Sequence, residues 1–399
     1  MVEHEAEDRP VAALAAEAKR DDLRLYTPSG SRLSPNLNIH KSSRVLLLGL
    51  SGAAALLCGC SRAPRPAEAP RAALEASEDC HKAESERFAL YSDPWINLHH
   101  FLFEWARNVP ERQPEDRRRP VDVAERAQIA DLDEGERQAW EHALTFYRER
   151  WVARDLVEDE DLIDLRDTLA AIACTAAGPD RIPADARGVL TDAMAVYRRH
   201  WWPGHHARNM KLIDEVLAGL SEHEPALAER MAEAYGGRWP AERIRVDMSA
   251  YANWSGAYTT NNPDHVTITS TTNPYITGLN AMEMLFHEVS HATFLEEPLL
   301  AELEAAFRAH GAEVPDGLAH VLQWVTPAEL LRAQLHGEAL RGFHTYAERT
   351  KLYERGRTTA ERSLLEQHWV PFLDGKITRR EALNRIAAAL APHRTAVRH

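Results

Sequence analysis

The segment His287-Glu-Val-Ser-His291 contains the residue types and the spacing needed to bind a catalytic metal ion. Two histidines four positions apart fall on one face of a helix and can bind the same ion. Glu288 lies beside them, and its carboxylate can accept a proton from a metal-bound water without being a ligand itself. We therefore expect one Zn²⁺ held by His287 and His291, with Glu288 as the catalytic base.

The sequence around this segment predicts the helix that must carry it. Apolar residues recur at three- and four-residue spacing over residues 279–294, and neither proline nor glycine interrupts the motif. Such a helix would bury one side against a core and hold the histidines at its edge. Its apolar stripe contains Leu279, Met282, Leu285, Phe286 and Val289.

Alternating polar and apolar residues before this helix predict two strands, Arg243–Met248 and His265–Thr269. The order of a strand, a loop and a helix with His-Glu-x-x-His resembles that of the zincin metallopeptidases. The resemblance is specific around the motif and weaker over the whole of residues 243–350. The resemblance implies a peptidase that holds an extended peptide along an edge strand, for which Val266–Thr269 is the candidate. The alternative for these residues is an ordinary sheet strand with no substrate.

Zinc bound by two histidines needs a third protein ligand. The metzincin continuation fails, because Phe294 and Glu297 stand where that group has glycine and histidine. The gluzincin pattern instead implies a glutamate from a later helix, and we assign Glu329 because its surroundings are apolar. The next candidate among the later glutamates is Glu338, ahead of Glu302 and Glu304.

Glu329 also has a purely structural interpretation. The sequence Thr326-Pro-Ala-Glu329 is that of a capping box, with threonine at the N-cap, proline at the first helical position and glutamate at the third. In that arrangement the glutamate stabilises the start of a helix and binds no metal.

A peptidase of this kind also needs a donor that stabilises the oxyanion of the tetrahedral intermediate. Tyr346 is the preferred donor, and His320 and His344 are the other candidates. For His320 the alternative is a histidine of the core or the surface. Glu283, one turn before His287, either orients that histidine or is a solvated helix residue.

The remaining sequence predicts a mainly α protein of the α+β class. Helical spacing runs from Leu74 to Tyr235 and returns after Gly278, with a small antiparallel sheet between. Residues 74–240 are therefore a helical region, and residues 241–399 are a zincin-like catalytic region that ends in helices, the two forming one compact domain. Blocks 95–102 and 200–205 resemble an uncharacterised bacterial group.

An apolar run over residues 45–58 follows Lys41 and Arg44 and ends in Leu57-Cys-Gly-Cys60. This order resembles the signal peptide and lipobox of bacterial lipoproteins. The resemblance implies that residues 1–59, an N-terminal extension plus signal peptide, are removed and that Cys60 becomes lipidated. The alternative is a short buried helix or strand with two incidental cysteines.

The lipoprotein resemblance also implies a location. Residues 60–73 are rich in proline and alanine and would form an extended tether between a lipid bilayer and the domain. Serine after the lipidated cysteine favours the outer membrane of a bacterial cell envelope, with the domain facing the periplasm. Cys80 and Cys174 would then be either a disulfide or two unpaired cysteines.

Composition narrows the classes of partner. The chain has 61 acidic and 47 basic residues and a net charge of −14, so we expect no nucleic-acid partner. The expected function is that of a membrane-anchored, zinc-dependent metallohydrolase, a peptidase acting on a peptide or protein substrate. The alternatives are a non-catalytic exported helical binding protein and a zinc hydrolase that cleaves a non-peptide bond.

Overall fold

A computed structural model describes residues 80–107, 121–172, 178–252, 256–271, 273–354 and 358–391. These residues belong to one compact unit that spans residues 75–399. The predicted signal peptide, the lipidated Cys60 and the tether lie outside the described residues. Cys80 is disulfide-bonded, but Cys174 also lies outside the described residues, so their pairing stays a prediction.

The centre of the molecule is a five-stranded sheet with the order β1-β2-β3-β5-β4. The central pairs β2–β3 and β3–β5 are parallel, whereas the outer pairs β1–β2 and β4–β5 are antiparallel. The strands are β1 (His81–Glu84), β2 (Phe88–Ser92), β3 (Ile244–Ser249), β4 (Ala257–Thr260) and β5 (His265–Thr269).

Three sequence-based expectations about this sheet are wrong in detail. The sheet is mixed rather than antiparallel, and β1 and β2 lie within the stretch that was expected to be helical. Strands of four or five residues are too short for their period to stand out beside long helices. Because β5 lies between β3 and β4, Val266–Thr269 is not an edge strand, and the edge on that side is β4.

Helices make up most of the rest, which confirms the mainly α, α+β fold class. None of the helices in the described part of the chain is both long and apolar enough to cross a bilayer. Before β3 the helices are α1 (Pro94–Arg107), α2 (Val123–Ala127), α3 (Glu134–Arg150), α4 (Glu160–Ile172), α5 (Ala184–His200) and α6 (Trp202–Tyr235). After β5 they are α7 (Gly278–Val289), α8 (Thr293–Ala309), α9 (Leu318–Gln334), α10 (Gly337–Gly342), α11 (Tyr346–Arg349), α12 (Thr358–His368), α13 (Val370–Leu373) and α14 (Arg379–Leu390).

The sheet separates two apolar cores because successive side chains of a strand point to opposite faces. One face carries apolar residues such as Leu90, Val246 and Ile268, which share a core with α6, α7, α8 and α9. The second core lies among α1, α3, α4 and α5 and is rich in aromatic rings, including those of Trp140 and Trp201, which stack with centroids 4.4 Å apart.

The face of the sheet turned towards α1 and α4 is polar although it is buried. Arg245 binds Asp93 at 2.7 Å and Asp247 at 2.8 Å, and the Asp247 carboxylate also receives His265 Nε2 at 2.5 Å. The positive charge of Arg245 and this hydrogen bond lower the pKa of Asp247 despite its burial. The ion pairs fasten the start of α1 to β3, since the Asp93 carboxylate accepts from the backbone N–H of Trp95.

The adjacent histidines of the helical region take part in this interior. His99 bonds the Tyr147 hydroxyl at 3.0 Å, and His100 Nε2 bonds the Tyr258 hydroxyl at 2.7 Å. His205 is likewise buried and bonds the hydroxyl of Tyr197. All three are histidines of the core.

A close backbone contact joins the end of α6 to the start of α8. A Cβ atom added to Gly237 would lie 2.1 Å from the carbonyl oxygen of Phe294, far inside van der Waals contact. Phe294 comes three residues after His291, so this contact fixes the path of the chain directly after the second motif histidine.

We expect Gly237→Ala to lower the free energy of unfolding by about 1–3 kcal/mol, since backbone atoms must move apart. Gly188→Ala is the matched control, because Gly188 is exposed within α5 and has open space at its Cβ position. That substitution should raise stability by about 0.5–1 kcal/mol through helix propensity. Urea denaturation monitored by circular dichroism measures both, and equal effects of the two substitutions would contradict the close contact.

Candidate metal centre

The first motif histidine lies in the last turn of α7, and the second lies just beyond the end of the helix. α7 ends at Val289, earlier than predicted, and His291 follows in a tight turn whose N–H donates to the Glu288 carbonyl at 3.0 Å. The Ser290 hydroxyl donates to the His287 carbonyl at 2.5 Å and so competes with the next helical bond. The two imidazole rings remain neighbours, with centroids 5.1 Å apart.

A third histidine joins this pair from the start of α9. Gly317, in the left-handed conformation with φ 82°, is the N-cap of α9, and His320 occupies its first turn. The ring of His320 lies 5.3 Å from that of His287 and 5.2 Å from that of His291. One ligand atom from each of the three lies within 4.8 Å of the others, so the group can hold a metal ion.

Hydrogen bonds turn two of these rings so that the same nitrogen is left for a metal. His287 Nδ1 donates to the Gln323 carbonyl at 3.1 Å, and His291 Nδ1 bonds the Glu296 carboxylate at 3.2 Å. In each ring Nε2 is then the free nitrogen, which is the usual arrangement around metal-bound histidine. His287 is buried, whereas the His291 side chain is 26% exposed, so the site opens on one side.

The electrostatic surroundings keep two of the histidines neutral, which is the form that binds metals. Burial and the neighbouring histidines hold the pKa of His287 well below its ordinary value. Burial lowers the pKa of His320 to about 3. Burial also acts on His291, but the hydrogen bond to Glu296 and the charges of Glu288 and Glu296 outweigh it and raise the pKa of His291.

The structure does not bring Glu329 to the histidines. Its carboxylate bonds Arg362 at 2.8 Å and lies 3.4 Å from Arg332. Glu329 and His320 are on the same helix, nine residues apart, which places them about 13 Å apart along the axis and about half a turn out of phase. A helix that presents His320 to the site therefore turns Glu329 away from it.

The capping-box interpretation of Glu329 is also wrong. α9 runs from Leu318 to Gln334 without a break, so Thr326 lies in its interior rather than at an N-cap. The Thr326 hydroxyl donates back to the Leu322 carbonyl at 2.7 Å. The sequence signal for the true start of the helix is Pro315-Asp-Gly317, a combination of turn-forming residues three positions before His320.

Glu288, the expected catalytic base, lies buried beside the histidines. The Thr259 hydroxyl, on the edge strand β4, is within hydrogen-bonding distance of the Glu288 carboxylate at 3.1 Å and of its carbonyl at 2.7 Å. Burial raises the pKa of Glu288 to about 7. A carboxylate with that pKa can accept a proton and return it near neutral pH.

Tyr346, the expected oxyanion donor, is separated from His287 by an indole that sequence analysis did not single out. The Trp324 ring stacks on His287 with centroids 3.4 Å apart, and Tyr346 stacks on the other face of Trp324 at 5.2 Å. The Tyr346 hydroxyl accepts from Asn273 Nδ2 at 2.7 Å. Trp324 thus covers one side of His287 and leaves Tyr346 behind it.

Two other sequence candidates lie away from the histidines. Glu338 and His344 both line an open cleft of about 560 Å³ near the start of α7. Of the α7 residues that line this cleft, Asn280 is the closest in sequence to His287, and it lies two turns before that histidine on the same face of the helix.

Glu283 does not orient a histidine and is not solvated either, so both expectations for it are wrong. It is fully buried, and its carboxylate accepts from the Tyr346 N–H at 2.8 Å and from Asn280 Nδ2 at 2.8 Å. Burial raises the pKa of Glu283 to about 7. Its role is to attach the start of α11 to α7.

Three histidines that converge on one point, with a buried glutamate next to them, define a candidate metal centre. Comparison of the chain with protein-family models, with curated proteins and with solved structures found no match. The function is therefore inferred from the residues of the site.

The position of the third ligand can be tested by metal titration. Loss of a hydrogen-bond partner behind a metal ligand weakens metal binding by about 10- to 100-fold. We expect His320→Ala to weaken Zn²⁺ binding by more than this, because the ligand itself is lost. Glu329→Ala should leave the affinity unchanged, since that carboxylate bonds arginines on the far side of α9. Competition with a chromogenic chelator measures both affinities. The reverse order of effects would restore Glu329 as the ligand.

The buried Glu283 predicts a pH-dependent stability. Its pKa rises from 4.5 to about 7 on folding, so the folded state is penalised progressively as pH rises from about 4.5 to about 7. A shift of that size corresponds to about 3 kcal/mol of lost stability above pH 7. Glu283→Gln carries no titrating group and should show a shallower decline. Urea unfolding from pH 4 to 8 compares the two, and parallel curves would contradict a raised pKa.

Proposed function

We propose that the protein is a zinc-dependent metallohydrolase, and specifically a peptidase, whose metal is held by His287, His291 and His320. The observation that carries the proposal is the convergence of these three histidines beside the buried carboxylate of Glu288. Three nitrogen ligands with one open side are typical of catalytic zinc sites, in which water or substrate occupies the fourth position. Structural zinc sites differ in having four protein ligands.

The metal would supply Lewis-acid chemistry, polarising the scissile bond and making a bound water easier to deprotonate. The protein's own groups perform the remaining tasks. Glu288 accepts the proton of the attacking water and passes it to the leaving group, as its pKa of about 7 permits. The Thr259 hydroxyl, 3.1 Å from the Glu288 carboxylate, orients that base.

The hydrogen bonds around the site support a preorganised centre. His287 and His291 are each held through Nδ1, by the Gln323 carbonyl and by Glu296. Trp324 packs against the face of His287 and excludes water from that side. Groups fixed before substrate binds need no rearrangement during the reaction.

The strand β4 lies beside the proposed base. Thr259, in the middle of β4, reaches Glu288, so the outermost strand of the sheet runs directly past the base. An extended peptide can add to a sheet edge through main-chain hydrogen bonds. The strand order transfers the role expected of Val266–Thr269 to Ala257–Thr260, but all four residues of that strand are buried, so the support for a peptide substrate is the resemblance to the zincins and not an open edge.

We further propose that the enzyme works at the bacterial cell envelope, anchored to a lipid bilayer through Cys60 and facing the periplasm. The lipobox sequence is the main support. The disulfide at Cys80 adds to it, because structural disulfides persist in oxidising compartments outside the cytosol.

The role of Glu288 leads to a direct test. Glu288→Gln should lower the rate of peptide cleavage by about 10²- to 10⁴-fold, because the proton acceptor is lost. Bound zinc should remain at one ion per chain, since Glu288 is not a ligand. Glu297→Gln, the same change at an exposed position on α8, is the control and should retain full activity.

The assay would use zinc-loaded protein with a set of fluorescence-quenched peptides, and zinc content would be measured by atomic absorption. Full activity of the Glu288→Gln protein would contradict the proposed mechanism. Cleavage of esters but of no peptide would redirect the proposal to a non-peptide bond.

A further inference from the structure

A proline in the middle of α9 leaves one backbone carbonyl without its helical donor. In an α-helix each N–H donates to the carbonyl four residues earlier, and proline has no N–H. Pro327 is inside α9, so the carbonyl that it leaves without a helical partner is that of Gln323. The proline ring also pushes that carbonyl away from the helix axis.

This carbonyl is the one that accepts the Nδ1–H of His287, at 3.1 Å. A neutral imidazole that donates through Nδ1 carries no proton on Nε2. In His287, Nε2 is the nitrogen left to bind a metal together with His291 and His320. A donor from position 327 would compete for the same oxygen. The absence of an N–H at Pro327 therefore favours the metal-binding tautomer of His287 over the alternative one.

The side chain of the same glutamine binds the carboxylate that holds the second motif histidine. Gln323 Nε2 donates to the Ser290 carbonyl at 3.0 Å and to the Glu296 carboxylate at 2.9 Å. That carboxylate oxygen also receives His291 Nδ1. Gln323 thus holds His287 through its main chain and His291 through its side chain, and it is itself almost completely buried.

We propose that Pro327 and Gln323 form a positioning device for the metal centre. Pro327 frees the Gln323 carbonyl, which selects the tautomer of His287, and the Gln323 amide fixes the carboxylate that orients His291. The proposal rests on the proposed function for its metal, but the tautomer is a property of the metal-free protein. The two can therefore fail separately.

The chain supplies a matched control for the proline. Pro225 is likewise inside a long helix, α6, but it is exposed, and the carbonyl it leaves free belongs to Ser221 on the surface. Pro225→Ala makes the same chemical change as Pro327→Ala without touching the histidines.

The first experiment compares Pro327→Ala and Pro225→Ala in the metal-free full-length protein. Long-range ¹⁵N–¹H correlation spectra of the histidine rings report which nitrogen carries the proton. We expect His287 of the native protein and of Pro225→Ala to be protonated on Nδ1, and Pro327→Ala to show a mixture of tautomers. An unchanged His287 spectrum in folded Pro327→Ala would overturn the proposal for the proline.

The second experiment measures Zn²⁺ affinity by chelator competition. Pro327→Ala and Gln323→Ala should each bind Zn²⁺ about 10- to 100-fold more weakly than the native protein, and Pro225→Ala should bind equally well. Gln323→Ala keeps the free carbonyl, so its His287 tautomer should be native while the His291 resonances shift. Native affinity in both site variants would refute the positioning role.

Circular dichroism and thermal melting check that each variant is folded, and Gln323→Ala provides a second arm if Pro327→Ala does not fold. Native protein that binds no Zn²⁺ at all would defeat the proposed function, while the tautomer spectra would still decide the role of Pro327.

Discussion

The contact between the end of α7 and the start of α9 is the constraint on which the site depends. α7 provides two groups of the motif, but only the approach of α9 adds His320, the Gln323 carbonyl and Trp324. α6 packs against both helices through the shared core and so sets their separation. A small rotation of α9 about its axis would remove all three groups from His287 together, because they lie within five residues of one helix.

The same dependence explains which parts of the site could be predicted from sequence. His287, Glu288 and His291 are close in the chain, and their spacing alone brings them together. His320 comes from another helix, and its phase relative to His287 depends on where that helix starts. The sequence favours Glu329 for its apolar surroundings, and the capping-box pattern at Thr326 places a helix start between Glu329 and His320. With the start at Gly317, the same helix presents His320 and carries Glu329 to its far side.

The fold shows a similar limit. The long helices and their apolar stripes follow from residue periodicity, and so did the mainly α, α+β class. The strand order did not, since local sequence reports that a strand exists but not which strand lies next to it. The polar face of the sheet added a further difficulty, because residues such as Asp247 and Thr267 are fully buried although their types usually indicate exposure. Asp247 pairs with Arg245 on the same strand and with His265 of β5, and Arg245 in turn binds Asp93, so this buried charge depends on groups that are distant in the sequence.

The parallel pairing of β2 with β3 has a consequence for how the chain can be divided. Phe88 pairs with Ile244, so strands from the two ends of the helical region are neighbours in one sheet. The helices α1 to α6 therefore form one long connection between two adjacent parallel strands. A fragment beginning near residue 241 would keep the entire metal centre and still lose two strands, leaving β3 as an open edge with unpaired backbone groups. The residues of the candidate metal centre thus all lie in the C-terminal part of the sequence, whereas the sheet beside them includes two strands from before the helical region.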